Sequence, residues 1–140
     1  MTNKINSTDT DAIKVLMAKK SRYLSKAQAF AEIGLMETAQ PLFLSAASYE
    51  ERIAALLDTL GQELEAAVHR ISAASCYDRA GNMSSAVNLY RAALAGPLQN
   101  KTRTDVLEML KLSLEKLAQQ APLTAASASM PDALIPGTVA

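Results

Sequence analysis

The chain has 140 residues, 49 % of them hydrophobic and 20 % charged, a size and composition suited to one soluble domain with its own core. Fourteen basic residues balance fourteen acidic ones, which excludes the strongly basic footprint of a dedicated nucleic-acid binder. A single cysteine, Cys76, excludes an internal disulfide, and no run approaches the roughly 18 uninterrupted apolar residues of a membrane span.

Met1 to Asp11 is polar and lacks the apolar core of a signal peptide, so residues 1–9 are expected to be flexible and the cytoplasm is the expected location. Thr10 or Asp11 is placed to cap a first helix running to about Ile33, with Gly34 as its stop. A second helix is predicted from near Glu37, with Pro41 in or near its first turn. Its apolar line is Leu42, Ala46, Tyr49, Ile53, Leu56 and Leu60, at alternating steps of four and three, and Gly61 ends it. A third helix is predicted from Gln62 to about Ala80, with Leu64, Val68 and Ile71 on its stripe and Ala67, Ala74 and Tyr77 beside them. Gly81-Asn82 stops it.

A fourth helix is expected from Met83 to Leu94, broken by Gly96-Pro97. A fifth, capped by Thr102 or Thr104, runs to about Gln119. Its apolar residues, among them Leu107 and Leu112, occupy more than one face, so a second contact beyond simple capping is expected there. Residues 120–140 are rich in Ala and Pro with one charge, Asp132, and read as a flexible tail. Met130 to Pro136 is its one candidate docking segment. The helical domain is therefore expected over residues 10–119.

The charge is uneven. Residues 1–30 carry a net +4, residues 31–67 a net −6, and the remainder +2. Complementary helix faces or a basic groove for an acidic partner would each use that asymmetry.

Two segments repeat at an offset of 47 residues. Ala27 pairs with Ala74, Phe30 with Tyr77, Gly34 with Gly81 and Met36 with Met83. Ala39 pairs with Ala86, Phe43 with Tyr90 and Ala46 with Ala93. Small residues let antiparallel helices approach, aromatics fill the gaps between hairpins, and glycine permits the tight turn. In this order and spacing the residues resemble a tetratricopeptide repeat over about residues 20–95. The period of 47, against about 34 in that family, resembles its long-helix relatives such as the soluble attachment proteins. Proline is missing from the expected end of each repeat, where Glu51 and Leu98 stand.

The resemblance implies an all-α array of antiparallel hairpins, about five helices, that binds a partner protein or peptide without catalysis. It implies a concave face showing Gln28, Glu32, Ser75, Asp78 and Arg79. The family's carboxylate-clamp pattern is not matched, since Leu24, Gln28, Ile71 and Ser75 occupy its positions.

Other chemistry has thinner support. Glu65, His69, Ser72 and Cys76 fall on one helix face, but structural zinc normally needs four ligands and these are the chain's only His and Cys. Seven helical residues separate His69 from Cys76 by roughly 10 Å of rise, too far for direct proton transfer. A carboxylate-bridged diiron bundle needs Glu-x-x-His on two helices, and one His is present. No Gly-rich phosphate loop exists, because all five glycines are isolated. No metal, cofactor, nucleic acid or membrane insertion is therefore expected. The alternatives to a binding module are a homodimer built on the helix at 104–119 and, more remotely, a metal-binding bundle.

Overall fold

In the computed structural model the backbone is described for residues 2–139 and the side chains for residues 8–120. Most of the flexible N-terminus expected at 1–9, and the tail with its docking segment expected at 120–140, lie outside the residues described in full. Among the described residues there are five helices and no strand: α1 Thr2–Glu32, α2 Met36–Thr59, α3 Glu63–Arg79, α4 Met83–Leu94 and α5 Asn100–Val139. Each helix packs chiefly on the next in the chain, as stacked hairpins do.

The first three connections are one turn repeated. Gly34, Gly61 and Gly81 have φ of +82°, +77° and +85°, where a Cβ would be strained. Around Gly34, Leu35 N–H donates to the Phe30 carbonyl at 2.9 Å and Gly34 N–H to that of Ala31 at 3.0 Å. The same pair of bonds recurs at Gly61 and Gly81, which satisfies the last carbonyls of α1, α2 and α3 identically. Asn82 caps α4 by accepting from Ser85 N–H at 3.1 Å. Gly96 is closely packed instead: a Cβ there would stand 3.2 Å from that of Ala67. Arg103 of α5 reaches back to the Leu94 and Gly96 carbonyls at 2.6 and 2.9 Å, closing the C-terminus of α4.

Both repeat copies bury the same positions. Ala27 and Ala74, Ala39 and Ala86, and Ala46 and Ala93 are fully buried, and Phe43 and Tyr90 are nearly so. Small residues dominate the interior, so the helices approach closely and the few large groups, Phe43, Ile53 and Val106, fill what remains.

Several boundaries and faces differ from expectation. α1 begins at Thr2, so Thr10 and Asp11 lie inside it and do not cap it. Pro41 sits in the second turn of α2. α5 starts at Asn100, and the Thr104 hydroxyl donates to the Asn100 carbonyl at 3.0 Å instead of capping. The buried line of α2 is Phe43, Ala46, Ala47, Glu50, Ile53, Ala54 and Leu57, rotated from the expected one. α2 is covered on both sides, by α1 and α3, so its buried arc centres on small residues instead of following the large ones. On α3 the buried residues are likewise Ala66, Ala67, Ala73, Ala74 and Cys76, while Leu64 and Val68 are 43 % and 45 % exposed.

Candidate functional site

α1, α3 and α5 line one face of the stack. Gln28, Glu32 and Arg79 border a hollow of about 440 Å³ between the C-terminal halves of α1 and α3. A second hollow, of about 350 Å³, continues from it. Gln28 and Arg79 line that one too, with Ile71 and Ser75 of α3 and Met109 of α5. Four of the five residues expected on the concave face, Gln28, Glu32, Ser75 and Arg79, thus meet in one continuous groove.

Asp78, the fifth, has another task. Its carboxylate accepts from the buried Ser113 hydroxyl and from Lys116, each at 2.9 Å, and so ties α5 to α3. Leu107 and Leu112 are exposed on α5, at 51 % and 48 %. Five residues of helix set them about 140° apart, so they do not share a patch.

The exposed α3 residues extend the groove. Leu64, Val68, Ile71 and Ser75 follow steps of four, three and four, hence one stripe. Ile71 and Ser75 line the hollow, and the exposed Leu64 and Val68 continue the same stripe beyond it toward the N-terminus of α3. The stripe is apolar at that end, and the groove is polar where Gln28, Glu32, Ser75 and Arg79 gather. Arg79 lies over the Phe43 ring, 5.4 Å from its centroid, and has no carboxylate partner among the described residues.

Beneath the groove is a buried carboxylate that sequence reading missed. Glu50 is 2 % exposed, and its Oε1 accepts from His69 Nδ1 at 2.7 Å. Lys20 Nζ stands 3.8 Å from Oε2. An isolated buried carboxylate would be costly, and the His69 hydrogen bond and the Lys20 ammonium offset that cost. The signal was present: Glu50 lies three residues after Ala47 and three before Ile53. His69 therefore pairs with Glu50 across helices and not with Glu65 along its own. Among the described residues no three His, Cys, Asp or Glu side chains converge as metal ligands. Burial, followed by the nearby Glu50 charge, pushes the Cys76 thiol up to about 11, so it stays protonated at neutral pH.

Comparison with protein-family models, with curated proteins and with solved structures gives no match.

Proposed function

We propose that this protein is a non-catalytic interaction module, a small tetratricopeptide-like adaptor or scaffold that captures a helix or extended peptide of a partner protein. One observation carries the reading: an exposed apolar stripe on α3, Leu64 and Val68, leads into a groove where Arg79 has no carboxylate partner among the described residues. The Phe43 ring holds the Arg79 guanidinium without neutralising it, and a bound peptide would cover the stripe and supply the carboxylate. The groove also holds no activated nucleophile, since its one thiol is pushed up and Glu50 is committed to His69 and Lys20. None of the described helices is long and apolar enough to cross a membrane. With a free buried thiol, that suits work in the cytoplasm.

Panning a random peptide display library on the full chain tests the reading. Selected peptides should lose at least about tenfold in affinity on Val68→Glu and on Arg79→Glu, one anchor each. Peptides indifferent to both substitutions would refute it. A homodimer through α5 is the second reading, favoured by the exposure of Leu107 and Leu112. It needs a partner surface wide enough to span both flanks of the helix. A metal-binding bundle has no ligand cluster among the described residues to support it.

A further inference from the structure

The two hairpins present opposite chemistry on equivalent edges. On α3 the edge facing the preceding hairpin carries Ala66, His69, Ala73 and Cys76. Ala66, Ala73 and Cys76 are buried there. At the 47-residue offset, the same edge of α1 carries Lys19, Arg22, Lys26 and Ala29, all exposed. α1 packs chiefly on α2, and among the described residues nothing covers this edge.

Beside it, α1 and α2 enclose a hollow of about 510 Å³. Its apolar walls are Val15, Leu16, Ala55 and Leu56, and Lys19 and Arg52 flank it. Lys19, Arg22, Lys26 and Arg52 have no carboxylate partner among the described residues; Arg52 lies over the Tyr49 ring at 5.6 Å. A helix that covers the equivalent edge of α3 already exists in the molecule, and it is α2. α2 meets α3 with acids: Glu50 to His69, Glu51 to Tyr77 and Asp58 to Arg70. The open edge of α1 replaces the alanines with cations and so asks more strongly for acids.

We propose that this edge docks an acidic amphipathic helix of a partner protein, as a first element completing the stack. One apolar side chain of that helix enters the hollow at Val15 and Leu56. Acidic residues on its next three turns meet Lys19, Arg22 and Lys26, which extend about 16 Å along α1 from Val15. A recessed apolar floor, with Leu16 only 6 % exposed, receives a side chain but does not insert into lipid. The apolar hollow also has no use in holding a nucleic-acid backbone.

The test uses the full chain and two labelled helical peptides of about 20 residues, one with a Leu stripe flanked by Glu, the other with Lys replacing Glu. Fluorescence anisotropy should show the acidic peptide binding at least about tenfold tighter than the basic one, and weakening with salt. The triple variant Lys19→Glu, Arg22→Glu, Lys26→Glu should reverse that preference while keeping its helical circular dichroism. Equal affinities, no binding, or a preference unmoved by the triple variant would overturn the proposal. So would binding of phosphatidylserine vesicles or a single-stranded oligonucleotide in the peptide's place, or self-association that the triple variant abolishes. A peptide selected on the concave groove should not displace the acidic helix. If it does, the helix sits in the groove, and the proposal fails while the groove reading stands.

Discussion

The hairpins α1–α2 and α3–α4 carry the same motif and meet different neighbours. At positions that face within a hairpin, the two copies agree: Ala27 and Ala74, Ala39 and Ala86, and Ala46 and Ala93 are all fully buried. At positions that face the preceding hairpin they disagree. Met83 is 6 % exposed where Met36 is 41 %. The turn at Gly81 lies against Gln40 of α2, its Cβ position 3.6 Å from Nε2, whereas Gly34 faces open space. Cys76 is buried where Ala29 is exposed. The motif therefore fixes the hairpin, and stacking order fixes the fate of every side chain on its edges.

Three substitutions or conditions sharpen that contrast. Met83→Ala should cost about 2–4 kcal/mol in urea unfolding, and Met36→Ala under about 0.5 kcal/mol. Equal costs would break the claim that stacking alone distinguishes them. Cys76 gives the next effect, through pH. Its folded-state value of about 11 exceeds the usual 9.0, so the folded form holds its proton longer than the unfolded chain. The resulting stability is complete below pH 9 and is lost as pH rises toward 11, by up to about 2–3 kcal/mol. Cys76→Ser should remove the part of that loss that sets in above pH 9, leaving the loss above pH 10 that Tyr77 and Tyr90 bring, each pushed up to about 12 by burial. Identical profiles for the two proteins would place Cys76 nearer to water than its burial implies. The smallest effect tests sameness: Gly34→Ala and Gly81→Ala should each cost about 1–2 kcal/mol, because both adopt the left-handed conformation. A large inequality would mean that the two turns differ in more than their neighbours.

Local signals were legible in the sequence. The three glycine stops and the α4 boundaries follow from chemistry confined to a few residues. The helix faces were less so, because large apolar residues attract attention and this interior is built on alanine. That is why Leu64 and Val68 seemed to belong to the core, when the 47-residue offset already aligns Leu64 with Met17, itself 36 % exposed. Four of the five groove residues were legible because a resemblance supplied the face. The tie of Asp78 to Ser113 was not, since that partner lies 35 residues away, and the spacing of Glu50 between Ala47 and Ile53 marks burial without naming His69, 19 residues on. The α1 start was hidden for the opposite reason, as Thr10 and Asp11 are good caps that a longer helix simply runs past.

The claim that the apolar stripe on α3 is free to receive a partner depends on the chain being alone in solution. Light scattering of the full chain across a wide concentration range measures this directly. A concentration-independent mass near 14.9 kDa is expected. A stable dimer that Val68→Glu dissolves would contradict it, because the groove would then already be filled by a second copy.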